Sequence, residues 1–282
     1  MIYKRPDTLE DALCLINTEP GVKILAGGTD IIPGIRQNSS RFRNIKTLCD
    51  ITHLPETNFI SKNDSCINIG SAVTFTQISE SKLIKDHYPL LVKAASGVGS
   101  VQIRNRATIA GNFVNNAPCA DSVPPLLVYD AAIKIRSLNG TREMLLQDFL
   151  QAPYKTRLTG NELVTEISLP LISNEYKGDF YKLGRRRGVS ISRISFAVLT
   201  SVNEGILDDI RIASGAVTPI GMRLKQLEDY AKCKKLTKEF IKELAVEFGK
   251  QIINIAGVRW SAPYKIPTAQ QMFYQVLLQL CC

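Results

Sequence analysis

Two stretches of small and polar residues have a composition that suits a phosphate-containing ligand. The first, "ILAGGTD" at positions 24–30, places Gly27 and Gly28 directly after a short apolar run, and Thr29 adds a hydroxyl donor. Because glycine has no Cβ, its backbone can adopt φ > 0 and bring N–H groups close to a phosphate. Neither a Walker loop nor the Rossmann pattern G-x-G-x-x-G is present. Considered alone, the segment is also explained as a glycine turn without a ligand.

The second stretch is "VQIRNRATIAGNFVNNAPCAD" at positions 101–121. After two arginines it carries short hydrogen-bonding side chains, namely those of Thr108, Asn112, Asn115 and Asn116. Such a loop could contact a polar ligand, and it could equally be an Asn-rich turn that satisfies its own backbone. Two segments of this kind in one region favour an extended nucleotide that lies between them.

Nucleophilic and metal chemistry find little support in the sequence. No C-x-x-C pair occurs, so zinc and iron–sulfur sites lack their usual spacing. Cys119 lies within the second stretch, but a catalytic thiolate needs a nearby histidine, and the sequence contains only His53 and His87. We expect reduced and mostly buried thiols at all seven cysteines, which are Cys14, Cys49, Cys66, Cys119, Cys233, Cys281 and Cys282.

The composition is that of a globular protein with a basic surface. The sequence has 282 residues, of which 45% are hydrophobic, and its formal net charge is +9. No apolar run approaches the roughly 18 residues of a membrane span, and the first residues lack the apolar region of a signal peptide, so we expect a cytoplasmic location. A basic surface favours anionic partners.

One basic patch, "KLGRRRGVSISR", is dense enough to suggest either a solvated face or contact with phosphate or a partner. No aromatic residues are interleaved with its basic residues, which argues against nucleic-acid binding. Those residues are Lys182, Arg185, Arg186, Arg187 and Arg193.

The predicted elements fall into an N-terminal and a C-terminal part. Thr8 is a candidate helix cap with Asp11 three residues on, and a strand–helix–strand order suggests a small βαβ unit. Strands are expected in "KTLCDI", "CINIGS" and "LLVYDAAIKIRS", and short helices in "TQISESKLI" and "LLVKAAS". Asn139-Gly140 predicts a type I′ hairpin. After about residue 172, strands precede two helices, which is typical of an α+β layer pair.

Several motifs together resemble one family closely. These are "KILAGGTDIIP", "IGSAVTFTQI", "QIRNRATIAGNFVNNAPCADS", "FYKLGRRRGVSIS" and "GAVTPIGMR", which occur in this order along essentially the whole sequence. Their order and spacing resemble the FAD-binding (medium) subunits of molybdenum hydroxylases, the xanthine dehydrogenase family.

This resemblance implies an α+β fold of two domains. The first, residues 1–172, would be a vanillyl-alcohol-oxidase (PCMH)-type FAD-binding domain with subdomains at about 1–55 and 56–172. The second, residues 173–282, would be a C-terminal α+β domain of the CO-dehydrogenase flavoprotein type. The FAD would lie between the two subdomains of the first domain.

The resemblance also implies a set of cofactor-binding residues. The backbone amides of residues 23–30 would wrap the FAD pyrophosphate, and these residues are Lys23, Ile24, Leu25, Ala26, Gly27, Gly28, Thr29 and Asp30. A bulkier side chain at Gly28 would then fill space that the pyrophosphate needs. The second wall would consist of Ala107, Thr108, Ile109, Ala110 and Gly111. Hydrogen bonds would come from Asn112 and Asn115, and further contacts from Asp121, Leu163, Tyr181 and Lys182, the last near the flavin ring.

By the same resemblance, the chain would work in a hetero-oligomer. A large subunit would carry molybdopterin and oxidise a purine or another N-heterocycle, and a small subunit would carry [2Fe-2S] clusters that pass electrons to the FAD. The acceptor would be NAD+. However, Ser190 stands where relatives often have an acidic residue, so a ferredoxin, another carrier or oxygen is an alternative acceptor. No catalytic side chain, metal site, nucleic acid or membrane insertion is expected in this chain.

Two other hypotheses fit the residues less well. A stand-alone FAD-dependent oxidoreductase on the same fold should carry its own acid and base residues, and the C-terminal part is poor in them. A basic nucleotide- or RNA-binding protein should bind with a steep salt dependence and without a yellow cofactor.

Overall fold

The fold is described by a computed structural model that covers residues 1–173, 175–186 and 188–281, without the side chain of Cys281. The sequence predictions for Arg187, for the thiol of Cys281 and for Cys282 therefore lie outside the described residues. Three main sheets of three, five and four strands, together with one two-stranded ribbon, organise this part of the chain.

The first sheet is parallel and has the strand order β1-β3-β2. Its strands and the two helices beside it are β1 (Ile2–Lys4), α1 (Leu9–Thr18), β2 (Val22–Leu25), α2 (Ile31–Arg36) and β3 (Thr47–Asp50). The expected strand–helix–strand unit is present, with β3 inserted between β1 and β2. The Thr8 side chain caps α1 by accepting a hydrogen bond from the Asp11 N–H at 3.1 Å, as predicted.

The second sheet is antiparallel and has the order β4-β5-β10-β6-β7. Its strands are β4 (Ile60–Lys62), β5 (Cys66–Gly70), β6 (Ala132–Ser137), β7 (Gly140–Leu145) and β10 (Leu163–Pro170). Its helices are α3 (Phe75–Glu80), α4 (Lys82–His87), α5 (Pro89–Ser96), α6 (Val101–Arg104), α7 (Ile109–Asn115), α8 (Val123–Val128) and α9 (Leu146–Phe149). The ribbon consists of β8 (Leu150–Ala152) and β9 (Lys155–Thr156).

Two sequence predictions in this region were wrong. The first part of "LLVYDAAIKIRS" is helical, because residues 126–128 end α8, whose side chains are all buried, and the strand begins only at Ala132. Residues 132–137 and 140–145 do form a hairpin, but Ser137 pairs with Gly140 and neither Leu138 nor Asn139 has a positive φ, so the turn is not type I′. The φ values of a type I′ turn occur instead at Glu204 and Gly205.

The third sheet is antiparallel, and helices cover one of its faces. It consists of β11 (Lys177–Leu183), β12 (Ile194–Asn203), β13 (Ile206–Ser214) and β14 (Met222–Arg223), followed by α10 (Lys225–Ala231), α11 (Lys238–Ala256) and α12 (Ala262–Cys281). Phe248 of α11 stacks on Phe273 of α12, with ring centroids 4.3 Å apart. Strands followed by helices are thus confirmed for the C-terminal part.

Both faces of this third sheet are buried, which joins the two parts of the chain. Phe180, Leu199 and Ala213 belong to the large core under the five-stranded sheet, whereas Phe196 and Ile212 belong to the core formed with α11 and α12. The alternation of strand side chains therefore divides the sheet between two cores.

A buried ion-pair network reinforces this junction. Arg223 donates from Nε to Glu228 at 2.5 Å and from its guanidinium to Asp130 at 2.6 Å and to the Leu127 carbonyl at 3.2 Å. The side chains of Arg223 and Glu228 are almost completely buried. Among the described residues, no helix is long and apolar enough to cross a membrane.

Replacing Glu228 with alanine should destabilise the fold strongly. Arg223 would remain buried without its main counter-ion, and breaking a buried ion pair in this way costs about 3–5 kcal/mol. Urea unfolding followed by circular dichroism measures the effect. The matched control is Glu247→Ala, which removes an exposed pair with Lys250 and should cost at most about 1 kcal/mol. Equal losses in the two variants would contradict a structural role for the buried network.

Candidate cofactor-binding site

The glycine loop begins at the carboxyl end of the parallel sheet. Lys23, Ile24 and Leu25 lie within β2, and their backbones are in register with β3 on one side. Residues 26–29 follow as a half-buried loop, Asp30 after them is exposed, and α2 begins directly after Asp30. Parallel strands commonly place ligands at their carboxyl ends. Only residues 26–30 of the predicted segment 23–30 therefore leave the strand.

The glycine loop and the second predicted wall touch each other through their backbones. A Cβ built on Gly27 would lie 2.0 Å from the carbonyl oxygen of Arg106 and 2.8 Å from Cα of Ala107. No real side chain fits at such distances, so Gly27 is required for the two segments to meet. The sequence placed these segments in one site, and the structure brings them together.

Gly28 is required for a different reason from the one predicted. A Cβ on Gly28 would meet the side chains of Ile32 and Leu25 at 3.2 Å, so the space beside it is occupied by protein. The residue has φ = +73°, in the left-handed region that glycine adopts without strain. The need for glycine at this position therefore comes from backbone conformation rather than from open space beside Cα.

The loop presents hydrogen-bond donors that the protein does not use. The backbone N–H groups of Gly27, Gly28 and Thr29 donate to no acceptor among the described residues. Beside the second wall, the hydroxyl of Ser71 is buried without a hydrogen-bond partner among the described residues, and the Ser71 carbonyl accepts from the N–H of Ala110 at 3.3 Å. Three consecutive free N–H groups fit a phosphate group, so the residues present fit the pyrophosphate of FAD.

The second wall is largely helical, which differs from the loop that we expected. Residues 101–104 and 109–115 form α6 and α7, and the Thr108 hydroxyl caps α7 by accepting from the Gly111 N–H at 3.2 Å. Ala107, Ile109 and Ala110 point into the large core. Their side chains therefore anchor the wall, and Gly111 remains exposed at its surface.

The three asparagines of this wall have distinct partners. Asn112 Oδ1 accepts from the Ser122 hydroxyl at 2.7 Å, and Asn115 Oδ1 accepts from Arg41. Asn116 donates to two carbonyls of the β8–β9 ribbon, those of Ala152 and Lys155, so its role is structural. The Nδ2 groups of Asn112 and Asn115 donate to no described residue, which leaves them free for a ligand.

Arg41 links the two walls, although no sequence pattern indicated this role. Its guanidinium pairs with Asp30 at 2.9 Å, binds Asn115 and lies 4.2 Å from the ring centroid of Tyr154. The residue lies in "SSRFRN", where its type and spacing match no motif. Only the folded chain brings Asp30 and Asn115 within reach of one side chain.

Asp121 and Lys182 form a buried ion pair between the N-terminal and C-terminal parts. Asp121 is 5% exposed, and its carboxylate accepts from Lys182 Nζ at 2.6 Å and from the Ser192 hydroxyl. Lys182 also donates to the Gly97 carbonyl at 2.8 Å. Burial raises the pKa of Asp121, while Lys182 and Ser192 oppose that rise. The pair brings two predicted site residues together, and Ser192 and Gly97 are partners that the sequence did not predict.

A cavity of about 510 Å3 opens beside this ion pair. Lys182 lies in its wall, together with Gly97, Ser100, Arg104, Arg186 and Ser190. The hydroxyl of Ser190 donates to the Arg186 carbonyl at 3.2 Å. The cavity is therefore bounded by the α5–α6 connection on one side and by the arginine-rich loop on the other.

The remaining predicted residues lie elsewhere. Leu163 is buried in the core formed by α1 and β3. Tyr181 stacks on Phe196 in the C-terminal core, on the opposite face of β11 from Lys182. The structure does not bring either side chain to Asp121, so their contact with a cofactor stays a prediction.

The thiols differ partly from expectation. Cys49 is buried, as expected, but Cys14 and Cys233 are exposed, so the prediction of mostly buried thiols was wrong for these two. Burial and the neighbouring Asp121 carboxylate raise the pKa of Cys119, which keeps it protonated and unreactive. No cluster of three or more His, Cys, Asp or Glu side chains suited to a metal occurs among the described residues.

Comparison with known proteins agrees with the geometry. Residues 1–172 match the family "FAD binding domain in molybdopterin dehydrogenase", and residues 179–280 match the "CO dehydrogenase flavoprotein C-terminal domain". The chain is 32% identical to a xanthine dehydrogenase FAD-binding subunit of Escherichia coli, over 98% of this chain and 94% of that subunit. It is 31% identical to a nicotinate dehydrogenase FAD-subunit of Eubacterium barkeri, over the same shares.

The fold is also that of a solved relative. A carbon monoxide dehydrogenase structure from Hydrogenophaga pseudoflava superposes with a TM-score of 0.91 and 27% identity, covering 100% of this chain and 96% of that chain. The FAD-binding domain of two subdomains and the flavoprotein-type C-terminal domain expected from the sequence are thus confirmed. The chain belongs to the FAD-binding (medium) subunits of the molybdenum hydroxylase, or xanthine dehydrogenase, family.

Proposed function

We propose that this chain holds FAD in the cleft between the glycine loop and the second wall and serves as the flavoprotein subunit of a xanthine dehydrogenase-like molybdenum hydroxylase. The observation that carries the proposal is the contact of Gly27 with the Arg106 carbonyl, beside three N–H groups that donate to no described acceptor. A domain division at residue 172, with FAD-binding subdomains meeting at about residue 55, is part of the proposal.

The residues of the cleft have separate tasks in this proposal. The N–H groups of Gly27, Gly28 and Thr29 bind the pyrophosphate, because they donate to no described acceptor. They also lie where the absence of a Cβ at Gly27 lets the two walls approach closely. The Nδ2 groups of Asn112 and Asn115 bind polar atoms of the cofactor. FAD supplies the exchange between single-electron and hydride chemistry, and the protein supplies binding, orientation and electrostatics.

Lys182 sets the charge beside the flavin ring in this scheme. Its ammonium group is held in place by Asp121 and by the Gly97 carbonyl, and it lines the neighbouring cavity. A fixed positive charge near the ring favours the reduced cofactor. Ser192 supports the arrangement by donating to Asp121 from the loop that follows the arginines.

The proposed assembly is a cytoplasmic hetero-oligomer. A large subunit with molybdopterin would oxidise a purine or another N-heterocycle, and [2Fe-2S] clusters of a small subunit would deliver electrons to the FAD. NAD+ is the proposed acceptor, with a ferredoxin, another carrier or oxygen as alternatives because Ser190 is not acidic. The names of two relatives, a xanthine dehydrogenase FAD-binding subunit and a nicotinate dehydrogenase FAD-subunit, support a purine or another N-heterocycle as the substrate.

Two measurements test the proposal against its alternatives. Purified protein reconstituted with FAD should show the flavin absorption bands, and their absence would exclude both flavoprotein hypotheses in favour of a basic nucleotide-binding protein. The chain should also co-purify with the iron–sulfur and molybdopterin subunits. Turnover of an organic substrate by the flavoprotein alone would instead identify a stand-alone oxidoreductase.

Gly27→Ala should abolish stable FAD binding. The added Cβ would overlap the Arg106 carbonyl at 2.0 Å, so the two walls would have to separate. Flavin absorbance per polypeptide measures occupancy, and circular dichroism checks that the variant is folded. The control is Gly160→Ala, because a Cβ at Gly160 meets no atom within 4 Å. Full flavin occupancy in folded Gly27→Ala would remove this contact from the site.

Arg41→Lys should weaken FAD binding by about tenfold, through loss of the planar guanidinium that pairs with Asp30 and stacks on Tyr154. Lysine keeps the positive charge. If Arg41 contributed only its charge, the affinity for FAD would be unchanged in this variant. Fluorescence titration of the apoprotein with FAD gives the dissociation constant. Arg43→Lys, two residues along in the same exposed segment, is the control and should bind FAD like the wild type.

Lys182→Met should lower the midpoint potential of the bound FAD, because it removes the positive charge beside the ring. Spectroelectrochemical titration of the holoprotein measures the potential. Lys177→Met, at the exposed opposite end of β11, removes the same charge at a distance and should shift the potential less. Equal potentials for wild type and Lys182→Met at full flavin occupancy would place Lys182 away from the ring.

A further inference from the structure

Four side chains connect the two walls of the proposed cleft at the protein surface. The Arg41 guanidinium pairs with Asp30, the last residue of the glycine loop, at 2.9 Å. It also donates to Oδ1 of Asn115, the last residue of α7, and lies 4.2 Å from the ring centroid of Tyr154. Arg41, Asp30 and Tyr154 are all exposed. We name the side chains of Asp30, Arg41, Asn115 and Tyr154 the clasp.

The β8–β9 ribbon holds Tyr154 in this position. Tyr154 lies in the turn between the two strands of the ribbon, and its N–H donates to the Asn116 carbonyl at 3.0 Å. The Nδ2 group of Asn116 donates to the Ala152 carbonyl at 2.8 Å and to the Lys155 carbonyl at 3.0 Å. Both sides of the turn are therefore tied to the residue that follows α7 in the second wall.

The aromatic ring of Tyr154 is not explained by burial or by the turn. Tyr154 is 53% exposed, belongs to none of the apolar cores, and its hydroxyl bonds to no described residue. Its φ of +61° is rare for a bulky residue, and glycine would adopt it without strain. Strain of this kind persists where the surrounding structure imposes it and clusters at ligand clamps. The contact of the ring with Arg41 is what remains to explain an aromatic residue here.

The clasp is the second point at which the two walls meet. The first is the backbone contact of Gly27 with the Arg106 carbonyl. The N–H groups of residues 28–29 lie in the chain between Gly27 and Asp30, and they donate to no described acceptor. The two contacts therefore enclose the part of the glycine loop that is proposed to bind the pyrophosphate. An FAD molecule held between the walls at this loop would leave sideways only if one of the contacts opened.

Of these two contacts, the clasp is the one that opens at low cost. Separating Gly27 from the Arg106 carbonyl requires the backbones of two segments to move apart. Opening the clasp requires only rotation of exposed side chains, which takes place on the picosecond to nanosecond timescale. An exposed ion pair and an exposed cation–π contact each contribute about 1 kcal/mol or less, so the clasp opens often.

We propose that the clasp gates the exchange of FAD, so that its opening limits both the release and the entry of the cofactor. This inference rests on the proposed function, which places FAD between the two walls. Arg41 and Tyr154 act here as positioning residues, because they hold the walls together. A gate that is also closed in the free protein slows association as well as dissociation. A side chain that only contacts the bound cofactor would change the dissociation rate alone.

Tyr154→Ala tests the gate, because it removes the ring and leaves Arg41 paired with Asp30. Flavin fluorescence measures the rate of FAD release from the full-length holoprotein and the rate of FAD binding by the apoprotein. We expect release to accelerate about fivefold, which is the size of a partly exposed cation–π contact. Binding should accelerate as well, by about threefold, because the same contact has to open before FAD enters.

Two further Tyr154 variants separate the ring from the backbone. Tyr154→Phe keeps an aromatic face over Arg41 and should restore the wild-type rates in both directions. Tyr154→Gly removes the ring and also suits the positive φ, so it should exchange FAD as fast as the alanine variant while unfolding at a higher temperature. If Tyr154→Ala does not fold, the glycine variant provides the same test.

The matched control is Tyr264→Ala. Tyr264 lies in α12 and is 54% exposed, so it is as exposed as Tyr154 but belongs to the C-terminal part. Its removal should leave both rates of FAD exchange at the wild-type values. Circular dichroism of every variant confirms that it is folded.

Arg41→Lys provides a second, independent measurement on the clasp. We predict above that this variant binds FAD about tenfold more weakly, through loss of the planar guanidinium. The gate adds that association becomes faster in this variant too. Because the dissociation constant is the ratio of the two rate constants, release should then accelerate by more than that tenfold.

The outcomes distinguish the gate from the proposed function. Faster association together with faster release in Tyr154→Ala or Tyr154→Gly supports the gate. An association rate that is unchanged or slower would overturn it, as would a Tyr154→Phe variant that exchanges FAD as fast as the alanine variant. A wild-type protein that binds no FAD would refute the proposed function and the gate together. FAD binding with wild-type rates in the Tyr154 variants would refute the gate alone.

Discussion

The contact between Gly27 and the carbonyl of Arg106 is the constraint on which the site depends. The parallel sheet and the five-stranded sheet have largely distinct cores, which meet where Leu163 of β10 enters the core formed by α1 and β3. At the Gly27 contact a backbone carbonyl occupies the volume that any side chain would need. The two segments therefore approach at backbone distance, and the N–H groups of residues 27–29 beside this contact donate to no described acceptor. Arg41 also links the two segments, because its guanidinium binds Asp30 of the glycine loop and Asn115 of the second wall.

A second constraint is electrostatic and connects the cleft to the C-terminal part. Burial of Asp121 is unfavourable for its charge, and Lys182 and Ser192 offset that cost from β11 and from the loop after it. Neither Lys182 nor Ser192 belongs to the FAD-binding region matched at residues 1–172. The positive charge beside the proposed flavin position thus comes from Lys182 of the C-terminal part, and Asp121 of the N-terminal part holds it in place. The electrostatics of the proposed cofactor site therefore depend on how these two parts pack together.

Much of this arrangement could be predicted from local patterns. Glycines after an apolar strand, and a Thr8 cap with Asp11 three residues on, are signals within a few residues of each other, and the structure confirms the strand β2 and the helix α1 that they indicate. The helix at residues 109–115 was not predicted, because the small polar residues in this segment are more typical of a loop. The one local signal for a helix was Thr108, which caps it. The hairpin at Asn139 shows that a favourable dipeptide does not fix the turn when strand register places it elsewhere.

Contacts between distant residues could not be predicted in this way. Arg41 reaches Asn115, and Lys182 reaches Gly97, only because separate elements pack side by side. Tyr181 and Lys182 were both assigned to the cofactor by resemblance to the family, whereas neighbouring residues of a strand point to opposite faces. In β11 this alternation sends Tyr181 to Phe196 and Lys182 to Asp121. One face of β11 therefore packs into the C-terminal core, and its other face carries the positive charge of the candidate flavin site. A displacement of β11 would alter both the stability of the fold and the electrostatics of that site.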